Sequence, residues 1–215
     1  MSSSIRSELN GEICILTYDN KVIVGEVTKI QSKQFAIKII SPKDLPKLEI
    51  EKQVELQIDL LNENEVYFYE AKTQSIHTFN DEKYLFLSPT KEIIEENRRK
   101  SKRVKLGAYL KNSVAMDIRV FPPIGQQWQK TKVIDISEGG VQIALKSYFS
   151  KGQLLEVVVD SPFLKTRELI LSRVVHTQTE KDLYHYSIQF LNISDKQRDS
   201  LNNYVEQAND RIQKK

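Results

Sequence analysis

Cysteine, glycine and tryptophan are scarce in this sequence, and it contains no long hydrophobic run. Its 215 residues include one cysteine, seven glycines and one tryptophan. The single cysteine, Cys14, excludes an internal disulfide, suits a reducing compartment and is expected to be a buried structural thiol. No segment provides the ~20 consecutive apolar residues of a membrane helix, and the first residues lack the apolar stretch of a signal peptide. We therefore expect a cytoplasmic protein that does not insert into membranes.

Signatures of catalysis are also missing. The sequence has no Cys/His metal spacing, no Gly-x-Ser-x-Gly nucleophile elbow and no phosphate loop of the Gly-x-x-x-x-Gly-Lys-Ser/Thr type. The three histidines, His77, His176 and His185, are isolated from one another in sequence. We therefore predict that the protein is not an enzyme and uses neither a metal nor a cofactor.

The overall composition is that of an ordinary globular protein. Hydrophobic residues make up 40% and charged residues 28% of the chain. The formal net charge of +3 is too small to indicate a nucleic-acid carrier by itself. The length allows one large domain or two small ones.

Alternating apolar and polar residues predict short strands over the first ninety residues. Val54, Leu56, Ile58 and Leu60, for example, alternate with polar residues and would bury one face of a sheet. Strands are predicted at 12–18, 21–30, 33–40, 54–60, 65–73 and 83–88. Ser88-Pro89 is expected to end this block, and residues 90–97 are expected to form one or two helical turns.

A second block of strands and a terminal helix follow. Strands are predicted at 114–120, 130–136, 140–146, 153–160, 167–176 and 183–191. Ser194-Asp195-Lys196-Gln197 has the form of a capping box, and apolar residues recur at helical spacing after it.

The two blocks predict a mainly β protein. The expected fold is two small antiparallel β-barrels joined by a short basic linker, with a C-terminal α-helix on the second barrel. The predicted boundaries are 1–90 for the first barrel, 91–103 for the linker and 104–215 for the second domain.

A basic run lies between the two blocks. Six of the eight residues from Arg98 to Lys105 are lysine or arginine. Arg99 and Arg103 are four residues apart, and the forked N–H donors of a guanidinium suit phosphate oxygens and the O6/N7 edge of guanine. Taken alone, such a run is more often a solvated linker.

The second candidate segment is the turn Asp135-Ile136-Ser137-Glu138-Gly139-Gly140, between two predicted strands. Its carboxylate can accept from N1 and N2 of guanine, Ser137 offers a hydroxyl, and Gly140 lets backbone approach a ligand. The same residue types also make ordinary β-turns. The basic run and this turn, taken together in strand context, predict a site for a guanine nucleotide with phosphates.

The pattern Arg98-Arg99-x-x-x-Arg103 followed by Asp135-x-Ser137-x-x-Gly140 resembles the bipartite signature of PilZ domains, receptors for the bacterial second messenger cyclic di-GMP. The resemblance covers roughly residues 97–210. The first ninety residues resemble the N-terminal barrel of the two-domain, flagellar-brake type of PilZ protein, in which the arginine motif forms the linker. The interior of the arginine motif here is Lys100-Ser101-Lys102, where family members often carry an aromatic or apolar residue.

The resemblance implies a role for each arginine of the motif. Arg99 and Arg103 would contact phosphates and the Hoogsteen edges of guanine. Arg98 would add a stacking or phosphate contact and help hold a self-intercalated pair of ligands. A single ligand and an intercalated pair are both compatible with this description.

The resemblance also implies roles for the turn. Asp135 and Ser137 would read the amino edge of guanine and a phosphate, and Gly140 would permit close backbone approach. The chemistry of the residues agrees, because the ligand carries two negative charges and two guanines while the site offers forked cations and one carboxylate.

The expected function is therefore a cyclic di-GMP receptor that reorients its two domains when the ligand binds. It would signal to a protein partner, in a pathway such as motility, adhesion or virulence regulation. Two alternatives are a nucleic-acid-binding β-barrel protein and a degenerate PilZ protein that serves only as an interaction scaffold. Aromatic residues are not interleaved with the basic run, which disfavours nucleic acid, and every signature residue is present, which disfavours the scaffold.

Overall fold

The computed structural model describes residues 7–19, 21–31, 34–42, 45, 48–60, 65–95, 104–105, 114–125, 127–160 and 169–213. Over these ranges the protein is mainly β, as predicted, with one α-helix near its end. The chain divides into two compact units, Met1–Arg99 and Lys100–Lys215. No helix within the described ranges is both long enough and apolar enough to cross a lipid bilayer.

The first unit is a closed six-stranded antiparallel barrel. Its strands are β1 (Ile13–Tyr18), β2 (Lys21–Gln31), β3 (Gln34–Ser41), β4 (Gln53–Leu60), β5 (Glu65–Phe79) and β6 (Glu82–Glu95). They follow one another around the barrel in the order β1-β2-β3-β6-β5-β4, and pairing of β1 with β4 closes it.

Alternation of side chains fills the interior of this barrel. Val54, Leu56 and Ile58 of β4 are all buried, as their spacing predicted, and they belong to one hydrophobic cluster. Cys14 is fully buried in the same cluster, which confirms the structural thiol.

Strand β6 runs past the point where the sequence predicted its end. It passes through Pro89 and continues to Glu95 in register with β5, so the helical turns predicted for residues 90–97 are wrong for 90–95. Proline lacks an N–H donor and is tolerated in strands at bulges. The register shifts beside it, between Glu70 and Ala71, and the hydroxyl of Thr90 donates to the carbonyl oxygen of Glu70 at 2.9 Å.

The second unit is built on a seven-stranded sheet. Its strands are β7 (Val104–Lys105), β8 (Ala115–Val120), β9 (Gln129–Ser137), β10 (Gly140–Leu145), β11 (Leu154–Asp160), β12 (Leu169–Glu180) and β13 (Leu183–Phe190). The order is β10-β13-β12-β11-β8-β9-β7, and β10 also pairs with β9.

The prediction of two barrels is confirmed for the first unit and only in part for the second. Strand β9 has three strand neighbours, so the second sheet differs from the simple closed ring of the first unit. It pairs with β8 through its first residues, with β10 through its later ones, and with β7 at Asp135 and Ile136. The short strand β7 is therefore an addition that the alternation of the sequence did not predict.

Helix α1 (Asp195–Gln213) covers the core of the second unit. Leu201, Tyr204, Val205 and Ala208 are buried in the same cluster as the sheet, which confirms the predicted amphipathic helix. The capping box also forms: the Ser194 backbone N donates to Gln197 Oε1 at 2.8 Å, and the Gln197 backbone N donates to Ser194 Oγ at 3.3 Å.

Candidate functional site

The turn predicted as half of the site is a two-residue hairpin between β9 and β10. Ser137 and Gly140 are Cα partners, and Glu138 and Gly139 connect them. The Ser137 hydroxyl donates to the Gly140 carbonyl oxygen at 3.2 Å. On the other side, the Phe190 backbone N donates to the Gly139 carbonyl oxygen at 3.0 Å. The hairpin is therefore fixed by hydrogen bonds within the turn and from β13.

Alternation along β9 places Asp135 and Ser137 on the sheet face opposite the core. Ile136, between them, is fully buried in the hydrophobic cluster, so its two neighbours point the other way. Asp135 is only 8% exposed and Ser137 only 3%. Two residues along a strand span about 7 Å, so the carboxylate and the hydroxyl can contact the same ligand.

Strand β7, which is the end of the basic run, lies beside this turn. Val104 pairs with Ile136 and Lys105 pairs with Asp135. Arg103 is the residue that directly precedes Val104 in the sequence. Arg98, Arg99 and Arg103 themselves lie outside the described residues. The structure thus brings together Asp135, Ser137 and Gly140 of the predicted site, with β7 beside them.

Gly140 is required by the packing of the sheet itself. A Cβ added at this residue would lie 2.2 Å from the carbonyl oxygen of Ile188 in β13, which is far inside the contact distance of the two atoms. The sequence had predicted that this glycine lets backbone approach a ligand. The geometry supplies a reason for glycine that holds with no ligand at all, namely the close approach of β10 to β13.

The hairpin is also tied to the terminal helix. Asn202 of α1 donates a hydrogen bond from Nδ2 to Glu138 Oε2 in the turn. Glu138 is the residue directly after Ser137. A side chain of the helix therefore contacts the turn between the two halves of the hairpin.

Two polar residues that the sequence did not single out continue the row of Ser137 and Gly140 across the sheet. Gly140 pairs with Gln189 of β13, and Gln189 pairs with Arg173 of β12. Arg173 is 1% exposed, and its Nη2 donates to Gln189 Oε1 at 3.0 Å. The sequence offered one signal for Arg173: it is a charged residue within the mostly apolar segment Leu169–Val175, where a charge is expected to have a partner.

Among the residues that the structure describes, no group of three or more histidine, cysteine, aspartate and glutamate side chains is placed to hold a metal ion. The polar side chains described on this sheet face include a carboxylate (Asp135), a hydroxyl (Ser137) and an amide (Gln189), which can exchange hydrogen bonds with the edges of an organic ligand.

Comparison with known protein families identifies the family of the second unit. The family model described as PilZ domain matches residues 97–207, about half of the chain. No curated protein matches the chain in sequence.

Several solved structures are similar over most of the chain. The inhibitor of motility MotI/DgrA of Bacillus subtilis is 15% identical, with 93% of this chain and 97% of that chain covered and a TM-score of 0.42. The K. pneumonia MrkH–c-di-GMP complex is 15% identical, with 95% and 90% covered and a TM-score of 0.45. YcgR of Escherichia coli in complex with c-di-GMP is 10% identical, with 95% and 86% covered and a TM-score of 0.40.

Proposed function

The chain belongs to the PilZ domain family, and from this premise we propose that it is a receptor for cyclic di-GMP without catalytic activity. The ligand site that we propose consists of Arg98, Arg99 and Arg103 of the basic run together with Asp135, Ser137 and Gly140 of the hairpin. Neither a metal nor a cofactor takes part in the proposal.

The pairing of β7 with β9 is the observation that carries this proposal. The two halves of the motif are far apart in the sequence, yet Val104, the residue after Arg103, pairs with Ile136, which lies between Asp135 and Ser137. The basic run is therefore attached covalently to the strand that lies beside the hairpin. A peptide of a few residues has enough reach to bring an arginine side chain to a ligand on that hairpin.

The chemistry of the ligand matches the charges of the site. Cyclic di-GMP is a dianion, and guanidinium forks bind phosphate oxygens or the O6/N7 edge of guanine through paired hydrogen bonds. The Asp135 carboxylate accepts from the N1–H and N2–H groups of guanine, which are donors. Ser137 donates to a phosphate oxygen by rotating its hydroxyl away from Gly140. Each charge-assisted contact contributes about 1.5–3 kcal/mol.

Titration of cyclic di-GMP into the purified full chain, followed by calorimetry, tests the proposal. We expect saturable binding by the wild type and binding about ten- to a hundredfold weaker by Asp135→Asn. The amide keeps the size of the side chain but places an NH₂ donor in reach of the guanine donors. The stoichiometry of the wild type distinguishes one ligand from an intercalated pair.

Asp117→Asn is the matched control for this titration. Asp117 lies on β8 in the same sheet, outside the hairpin, and the substitution removes the same charge. We expect its affinity to stay within about twofold of the wild type, since a distant surface charge is screened. Absence of binding by the folded wild type would sink the receptor function, and equal effects of the two substitutions would sink the assignment of Asp135.

We further propose that ligand binding reorients the two units and creates a surface for a protein partner. Without ligand, the like charges of the basic run repel one another. A dianion that bridges the arginines to the hairpin would neutralise part of this charge and remove the repulsion. The ligand can shift the equilibrium between two arrangements of the units only by the difference between its binding free energies for those arrangements.

Small-angle X-ray scattering with and without cyclic di-GMP measures this reorientation. We expect saturating ligand to reduce the radius of gyration of the wild type. Asp135→Asn at the same ligand concentration is expected to keep the dimensions of the empty protein. Identical scattering curves for the empty and the saturated wild type would contradict the reorientation and leave the binding result intact.

A further inference from the structure

A row of paired residues crosses four strands of the second sheet at the hairpin. Ser137 of β9 pairs with Gly140 of β10, Gly140 pairs with Gln189 of β13, and Gln189 pairs with Arg173 of β12. Directly paired residues project to the same sheet face. The next row along the strands contains Ile136, Val141 and Ile188, all in the core cluster. The row of Ser137 and Gln189 therefore lies on the face opposite the core, which is also the face of Asp135.

Gly140 is the one residue of this row without a side chain. No side chain therefore stands between Ser137 on one side and Gln189 on the other, and β13 approaches Gly140 so closely that an added Cβ would lie 3.4 Å from the Cα of Gln189. A flat group such as a nucleobase or a phosphate can lie over the glycine and contact both side chains. Ser137 is nearly buried, whereas Gln189 is partly exposed.

Arg173 fixes which way the amide of Gln189 faces. A guanidinium has only donors, so the atom of Gln189 that lies 3.0 Å from Arg173 Nη2 must be the carbonyl oxygen Oε1. Arg173 has no acceptor atom, so it cannot form a hydrogen bond with the two N–H donors of the Gln189 amide nitrogen. Since Arg173 is almost fully buried, its side chain is held in place and holds the amide with it.

We propose that Gln189 is a further ligand-binding residue of this site and that Arg173 is its positioning residue. The Gln189 amide nitrogen donates to an acceptor atom of the ligand, a guanine O6 or N7 or a phosphate oxygen, that lies over Gly140. The inference rests on the proposed function. It extends the site from the hairpin onto β13, on the side of Gly140 away from Ser137 and β9. It adds N–H donors to a sheet face on which the hairpin residues of the signature supply a carboxylate and a hydroxyl.

Gln189→Glu separates this role from a structural one. Glutamate has the same shape and still accepts from Arg173, now as an ion pair, so the contact that holds the sheet face is kept. It has no donor for the ligand, and its charge repels a dianion. We expect cyclic di-GMP to bind about tenfold or more weakly to this variant in calorimetry, with a thermal unfolding midpoint no lower than that of the wild type.

Gln178→Glu is the matched control. Gln178 is exposed on β12, the strand that also carries Arg173, so the substitution adds the same charge to the same sheet in a different row. We expect it to bind cyclic di-GMP as the wild type does. Wild-type affinity in Gln189→Glu, or an equal loss in Gln178→Glu, would overturn the inference. A wild type that binds no cyclic di-GMP would instead overturn the proposed function.

A double-mutant cycle tests the positioning role of Arg173. If Arg173 acts through Gln189, Arg173→Met weakens binding in the wild-type background and adds nothing in a Gln189→Met background. Replacing both partners by apolar residues of similar volume is close to neutral for stability, so the double variant is expected to fold. Arg173→Lys keeps a donor for Oε1 and is expected to retain most of the affinity. Additive losses in the cycle would show that Arg173 does not act through Gln189.

Discussion

Gly140→Ala is expected to lower the free energy of unfolding of the second unit by about 3 kcal/mol. The added methyl group would lie 2.2 Å from the carbonyl oxygen of Ile188, a backbone atom that cannot rotate away. The two strands must separate, and the hydrogen bonds between β10 and β13 weaken with them. Trp128 is the only tryptophan of the chain and belongs to the second unit, so its fluorescence during urea denaturation reports on that unit.

Gly125→Ala provides the contrast within the same unit. A Cβ at Gly125 meets nothing within 4 Å, but the residue has a φ of +69°, which L-residues rarely adopt. Its cost comes from backbone strain alone, about 1 kcal/mol. We expect the unfolding midpoint of Gly140→Ala to fall clearly below that of Gly125→Ala. The opposite order would mean that β10 and β13 can move apart at little cost.

The largest effect on binding is expected from Arg99→Ala combined with Arg103→Ala. Each arginine is proposed to make a charge-assisted contact worth about 1.5–3 kcal/mol. Their joint loss of about 3–6 kcal/mol weakens binding of cyclic di-GMP by about two to four orders of magnitude, if the two contributions add. Calorimetric titration of the double variant measures this loss of affinity. The single variant Arg99→Ala is expected to bind cyclic di-GMP about ten- to a hundredfold more weakly than the wild type.

Lys100→Ala combined with Lys102→Ala is the matched control, because it removes the same two charges from the same basic run. Lysine is a point charge without the guanidinium fork, so we expect only a small loss of affinity for cyclic di-GMP. A nucleic-acid-binding protein behaves differently, since its affinity follows the number of cations and falls with salt. Equal losses in the two double variants, with tight and salt-sensitive binding of random RNA that Asp135→Ala leaves unchanged, would favour that alternative.

The family and the elements with local signals could be predicted from the sequence. The two motifs predicted a PilZ domain, and the family match confirms it. The terminal helix depended on a capping box and on apolar residues three and four positions apart, which are neighbours on the helix itself. Strands in the first barrel followed from alternation, because the period of two is a property of a single strand.

Elements stabilised by distant residues were predicted less well. Strand β6 was expected to end at Ser88-Pro89, but pairing with β5 carries it to Glu95. Ile93 and Ile94, next to each other among charged residues, have no strand alternation of their own, and their strand conformation comes from the partners Phe68 and Tyr67. The two-residue strand β7 is too short for any periodicity to indicate it.

The sequence by itself determined which signature residues we propose for the site, and the tertiary structure decided which of the described ones are neighbours. Asp135, Ser137 and Gly140 were named from their residue types and spacing, together with the basic run and the resemblance to PilZ domains. Only the strand register placed Val104 opposite Ile136, put Gly140 against the backbone of Ile188 and aligned Gln189 and Arg173 with Ser137. Burial patterns arise from each strand's own geometry, whereas register depends on pairing between segments far apart in the chain and shifts at every bulge, as it does between Val174 and His176.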